Sequence, residues 1–224
     1  MLEKTKHFIL FICVGFIFFK AQVASSQTIG EKLECNKCHR LSSTGDEKNR
    51  KAPDLFFAGD KFQKKWLLEF LKQPEVVRPG GFILDPEFLV GAKLQKHKPV
   101  SEEAAKHLAN FLMSLKLPSA SVDKIDDTPL SKGKIAKVKI KFERNYGCTA
   151  CHQAINLARQ PRGGISGPSL VNAGNRLKGN WIYDKLKDPR MFDPQGRMPI
   201  FKLPDEEYIS LTKYILTLKK ENLR

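Results

Sequence analysis

The sequence predicts an all-α protein built of two small helical domains in tandem. Three observations lead there: an internal repeat, apolar residues recurring at helical spacing, and one copy of the same short cysteine–histidine motif in each half. The chain has 224 residues, room for one large domain or two small ones. With 41% hydrophobic and 28% charged residues it has a globular composition, which excludes disorder as its main state. The one long apolar run lies at the extreme N-terminus, so a polytopic membrane protein is excluded as well.

That run reads as a targeting segment. Lys4, Lys6 and His7 precede an apolar stretch from Phe8 to Phe19, and the small residues Ala24, Ser25 and Ser26 follow. This is the three-part pattern of a secretory signal, with cleavage expected between Ser26 and Gln27. Residues 1–26 are therefore taken as a signal peptide and the product as exported, in the bacterial case to the periplasm. The stretch is shorter than the roughly 20 residues that a spanning helix needs; an uncleaved anchor is the alternative. Cys13 lacks the preceding small residues of a lipidation site. Cleavage removes three Lys and one Glu, which leaves 36 basic and 23 acidic side chains, net +13, and four cysteines.

The repeat gives the domain organisation. Pro53 to Pro74 lines up without gaps on Pro168 to Pro189, a constant shift of 115 residues. Pro53, Leu55, Ala58, Gly59, Trp66, Leu71, Lys72 and Pro74 all recur at that shift. After each closing proline comes a loop, then an acid-led helix: Ser101-Glu102-Glu103 opens one and Asp205-Glu206-Glu207 the other. Ser101 and Asp205 are expected as N-caps, with the Glu residues favoured at the positive helix end. Ile135, Val138, Phe142 and Tyr146 form one face of a helix leading into Cys148, and Tyr208, Leu211, Ile215 and Leu218 one face of the last helix; both faces are expected to be core. Residues 27–117 and 130–224 are read as two domains. The polar, proline-flanked stretch 118–129 is read as their linker.

Cys35-Asn36-Lys37-Cys38-His39 and Cys148-Thr149-Ala150-Cys151-His152 are both C-x-x-C-H and use every cysteine of the mature chain. Two thiols at this spacing can form thioethers with the two vinyl groups of one haem, and the adjoining His then binds the iron from the proximal side. Cys35, Cys38, Cys148 and Cys151 are thus the expected attachment residues for two covalent haem c groups, with His39 and His152 as iron ligands. A thiol–disulfide centre is disfavoured because no thioredoxin-like βαβ pattern surrounds either motif. A zinc site is disfavoured because no partner ligands recur at knuckle spacing. A buried haem would also give a domain of fewer than about 100 residues an apolar surface to fold around.

Both halves resemble class I cytochrome c domains, and the whole resembles a tandem dihaem cytochrome c over nearly all of residues 28–220. The attachment motifs, Gly-Pro-Ser-Leu at 167–170 and Gly-Arg-Met-Pro at 196–199 carry the resemblance. It implies Met198 as the thioether ligand opposite His152, with Met191 as competitor, and hence a high-potential second centre. The first half departs from the pattern. Counting back from the terminal helices with Asp205 on Ser101, Met198 falls opposite Leu94, which cannot bind iron, and an insertion of 11 residues around Arg78-Pro79-Gly80-Gly81 precedes it. His97 is the favoured distal ligand of the first haem, since imidazole suits iron and lies in the right loop. An open site, His107, Met113 or Lys96 are the alternatives.

Charge is uneven: residues 27–118 carry 16 basic and 12 acidic side chains, residues 130–224 carry 19 and 8. Lys132, Lys134, Lys137, Lys139, Lys141 and Arg144 crowd the helix that leads into Cys148. An exported protein rarely meets nucleic acid, so acidic redox proteins docking on the second domain are the expected partners, with contact to an anionic membrane surface as a further possibility. The expected function is electron carriage between redox partners, with no small-molecule substrate and no catalytic constellation. The alternatives are a haem enzyme, a peroxidase or a small sulfur- or nitrogen-compound oxidoreductase, with an open iron at the first site, or a cytochrome subunit of a respiratory complex.

Overall fold

The structure is a computed structural model and describes residues 33–44, 51–83, 88–89 and 97–224. The signal-peptide reading, Leu94 and Lys96 lie outside the described residues. The chain is mostly helical, with a single two-stranded antiparallel sheet among the described residues. In the first half a 3-10 turn at Cys35–Lys37 is followed by α1 (Ala58–Lys61), α2 (Lys64–Lys72) and α3 (Glu102–Ser114). In the second, α4 (Lys132–Ile140) runs on into a π turn at Lys141–Asn145 and a 3-10 turn at Cys148–Ala150. The hairpin β1 (Ala154–Ile155) with β2 (Pro161–Arg162) comes next, then α5 (Ala173–Arg176), α6 (Gly179–Lys187) and α7 (Asp205–Leu216). The short hairpin is an addition to the all-α expectation. No helix among the described residues is long and apolar enough to cross a membrane.

Helix ends follow local chemistry, with one correction. Ser101 caps α3 by accepting the Ala104 N–H, and Ser131 caps α4 by accepting that of Lys134. Asp205 is not the cap of α7. Pro204 occupies that position, and the Asp205 carboxylate accepts the Tyr183 hydroxyl instead. A proline fits there because the N–H it lacks would have no partner inside the helix. Aligning Pro204 with Ser101 moves the register by one residue, so Met198 falls opposite Gln95, also outside the described residues, rather than Leu94.

Each half has its own helix pair, α2 on α3 and α6 on α7, yet most of the buried apolar residues form one continuous cluster. Leu67, Leu71, Leu108, Phe111 and Leu112 fill the first half; Val138, Phe142, Ile182, Tyr183, Leu211 and Ile215 fill the second. The expected stripes on α4 and α7 both face inward: Tyr208, Leu211, Ile215 and Leu218 are all buried. The stretch 118–129 has no helix or strand but is tied down. Ser121 bonds the Asp184 carboxylate through its N–H and hydroxyl, Lys124 and Ile125 donate to Asn180, and Asp126 pairs with Lys213.

The halves meet at a local two-fold. Phe62 and Leu177, related by the 115-residue shift, pair antiparallel. The Gln63 N–H donates to the Arg176 carbonyl and the Lys178 N–H to the Lys61 carbonyl, both at 2.9 Å. Each half gives the bond that it receives, the signature of a self-complementary contact. The side chains cross the junction in the same way. Lys61 lies 5.0 Å from the centre of the Trp181 ring, and Arg176 lies 6.0 Å from that of Trp66. Burial pushes both cations down, Lys61 well below the ordinary amine value and Arg176 to about 10. Contact with an aromatic face offsets part of that desolvation cost.

Candidate functional site

The two C-x-x-C-H segments fold identically. Each starts from a residue in the left-handed region, Glu34 at φ 57° and Gly147 at φ 60°, and closes a 3-10 turn. The His39 N–H reaches the Cys35 carbonyl at 2.9 Å and the His152 N–H the Cys148 carbonyl at 3.0 Å. The turn gathers both thiols and the imidazole of each motif at one corner of the chain. All four cysteines are free thiols, Cys151 exposed and the others half-buried. Burial pushes the Cys35 thiol up and that of Cys148 up to about 11.

A second repeated feature orients the histidines. His39 Nδ1 lies 2.6 Å from the Pro53 carbonyl and His152 Nδ1 lies 2.7 Å from the Pro168 carbonyl, the two prolines that open the repeat. A carbonyl only accepts, so Nδ1 carries the proton in both rings and Nε2 is left with a lone pair. Burial keeps both imidazoles below their ordinary pKa, so the neutral ring is the dominant form. A neutral imidazole whose other nitrogen is held by a carbonyl is the form in which histidine binds a metal. The carbonyl-bearing loops are tied back alike, Ala52 N–H to the Cys38 carbonyl at 3.0 Å and Gly167 N–H to the Cys151 carbonyl at 2.7 Å. Gly167 packs directly against His152: a Cβ there would overlap the ring.

In the first half the His97 ring centre is 6.3 Å from that of His39, with 47° between the ring planes. His97 Nδ1 is engaged by the Lys98 carbonyl at 3.1 Å, which again leaves Nε2 as the available nitrogen. Two imidazoles bound to one ion at about 2 Å from each nitrogen have ring centres about 6 Å apart, so this spacing fits a shared ion. His97 is exposed and flanked by Phe70, whose ring centre is 5.5 Å away and which stacks on Trp66. The alternatives sit elsewhere: His107 is half-buried on α3 and Met113 packs on the core.

In the second half Met198 is half-buried against the core. The segment that follows it is anchored to α7 by the Tyr208 hydroxyl, which donates to the Phe201 carbonyl and accepts the Leu203 N–H. Tyr146 packs edge-on against Phe201. Met191 lies in a 3-10 turn after α6 and is half-buried too. Among the described residues no group of three or more His, Cys, Asp or Glu is arranged to hold a bare metal ion.

Sequence reasoning missed three participants. The Pro53 and Pro168 carbonyls are backbone groups, signalled only by the recurrence of the prolines at the 115-residue shift. The Trp181 indole N–H is buried with no hydrogen-bond partner among the described residues, whereas its counterpart Trp66 donates to Glu75 at 3.2 Å. A buried orphan donor with Lys61 over its ring fits an acidic group of a bound molecule. The third is a buried ion pair beside the first motif, Arg40 Nη2 to Asp54 at 2.6 Å. Arg40 adjoins His39 and Asp54 adjoins Pro53, so the pair clamps the two residues that make the histidine hydrogen bond.

No family model, curated protein or solved structure matches the chain, so the functional reading rests on these residues.

Proposed function

We propose that the chain is an exported c-type cytochrome with two covalent haems that carries single electrons between redox partners. The observation that carries this reading is the twice-repeated unit of a C-x-x-C-H turn whose histidine gives its Nδ1 proton to a proline carbonyl. In this reading Cys35 and Cys38 hold one porphyrin and Cys148 and Cys151 the other. His39 and His152 would hold the two irons through Nε2, with His97 as the second ligand of the first through Nε2 and Met198 as that of the second through its sulfur. When bound, an iron porphyrin supplies a one-electron ferric–ferrous couple.

The rest is done by the chain. Pro53 and Pro168 hold each ring in one tautomer, so no proton need move when the iron changes charge. The buried Trp181 N–H would be free to donate to an acidic group of the cofactor. The soft Met198 sulfur favours ferrous iron and an imidazole pair favours ferric, so the second centre is the higher in potential and the natural acceptor. The spacing of His39 and His97 favours two closed sites and a carrier over a first site open to substrate. Lys132, Lys134 and Lys137 are exposed on α4 and offer a basic face to an acidic partner, while Lys139 and Lys141 are engaged by Glu143 and Glu207.

The test is low-temperature EPR on the oxidised, haem-loaded protein, together with a pyridine haemochrome count. Two haems per chain and two low-spin ferric signals of equal weight are expected. A full-weight high-spin signal that cyanide converts would overturn the carrier reading in favour of an open site. A count of zero would overturn the cofactor itself.

A further inference from the structure

The insertion after Pro74 is the main break in the internal symmetry, and it does not stay in its own half. The Ser169 N–H donates to the Val77 carbonyl at 2.8 Å, and the Gly80 N–H to the Ile165 carbonyl at 3.1 Å. Glu75 accepts from Asn172 at 2.6 Å and pairs with Lys220 at 3.3 Å. The Arg197 guanidinium, next to Met198, lies 5.7 Å from the Phe88 ring centre. The two main-chain bonds land on either side of Gly167 and Pro168, the residues that touch His152 and hold its Nδ1 proton.

The two halves differ in how they brace this loop. In the first half the residues after His39 and Pro53 are Arg40 and Asp54, a buried bidentate pair with Nε and Nη2 at 2.9 and 2.6 Å from the carboxylate. In the second half the same positions are Gln153 and Ser169, which cannot form an ion pair. The ties from within that half are main-chain bonds, Gly167 N–H to the Cys151 carbonyl at 2.7 Å and Leu170 N–H to the Gln153 carbonyl at 2.8 Å, and Arg176, whose Nη2 donates to the Ser169 carbonyl at 2.7 Å. The Ser169 N–H, on the opposite side of the residue, is met by the first half.

We infer that Glu75–Gly80 is a positioning brace supplied by the first half to the second: it replaces the missing ion pair and holds the Pro168 carbonyl against His152. The second centre is then complete only in the full chain, and a disturbance of the first half's insertion acts on the second iron, not the first. The role assigned to His152 rests on the reading given under the proposed function. Gly80 is obligatory in this arrangement because a Cβ there would overlap the Ile165 carbonyl oxygen.

The test uses the full, haem-loaded chain with Gly80→Ala, and Glu75→Ala as a second variant that loosens the segment without a clash. Amide exchange by NMR reads the loop directly. The Ser169 N–H is expected to exchange on the order of ten-fold faster in either variant, the factor that goes with one backbone hydrogen bond. A spectroelectrochemical titration of Gly80→Ala is expected to shift the His152/Met198 centre and leave the other where it was; in Glu75→Ala only the second centre is read, because Glu75 also accepts the Trp66 N–H. Unchanged exchange at Ser169 overturns the brace. Faster exchange with both potentials unmoved overturns its positioning role, since mere packing would behave that way. The haem count of the wild-type chain tests the underlying reading separately, and the exchange measurement decides the brace whatever that count is.

Discussion

Replacing His97 with alanine is expected to turn one of two low-spin ferric signals fully high-spin and to leave the other at full weight. The ring centres of His39 and His97 are 6.3 Å apart, and both Nδ1 atoms are engaged by carbonyls, so under the proposed function the two Nε2 atoms would share one iron. Alanine has no donor, and among the described residues the alternatives sit elsewhere, Met113 against the core and His107 half-buried on α3. Low-spin ferric iron needs strong ligands on both sides, so loss of one releases that centre alone. His97→Met is the informative companion. It restores a sixth ligand, and the softer sulfur is expected to raise the potential of that centre towards the second. Two intact low-spin signals in His97→Ala would remove His97 from the site.

Removing the Asp54 carboxylate is expected to be the most damaging single change outside the motifs. Arg40 and Asp54 are both buried and joined by two hydrogen bonds. Asp54→Ala takes the carboxylate and two hydrogen bonds away from a buried guanidinium, a change that costs about 3–5 kcal/mol. Against the roughly 5–15 kcal/mol that holds a typical domain together, that is a large share. Replacing both residues with apolar ones of similar volume, as in Arg40→Met with Asp54→Leu, is expected to recover most of the loss, because the penalty lies in a buried charge that has lost its carboxylate. Chemical denaturation of the three variants checks this; a loss under about 1 kcal/mol in Asp54→Ala, the range of an exposed pair, would show that the pair does not clamp the loop.

The helical character, the core stripes on α4 and α7 and the near-identity of the two motif turns were legible from periodicity and repetition, because side-chain spacing records which face a helix buries. Ser101 was legible as a cap for a similar reason, since its hydroxyl acts on a neighbour three residues away. Asp205 was misplaced by one position because cap and first-turn acids look alike in sequence. The carboxylate was claimed by Tyr183, a residue on another helix.

By itself, then, the sequence determined the features written within a few residues: two cysteine–histidine turns, their duplication, the helix faces and the excess of charge on the second half. The tertiary structure alone decided what depends on distant partners. It brought His97 opposite His39, gave His39 and His152 a carbonyl each, and buried Arg40 on Asp54. It also set Lys61 and Arg176 across the junction on each other's tryptophans, and carried the first half's insertion onto the second half's histidine loop. Backbone carbonyls and amides leave no mark in a residue string, and the pairing of two buried groups is chosen by chain crossing rather than by spacing. For that reason the motifs could be read from the sequence, while the groups that orient and brace them could not.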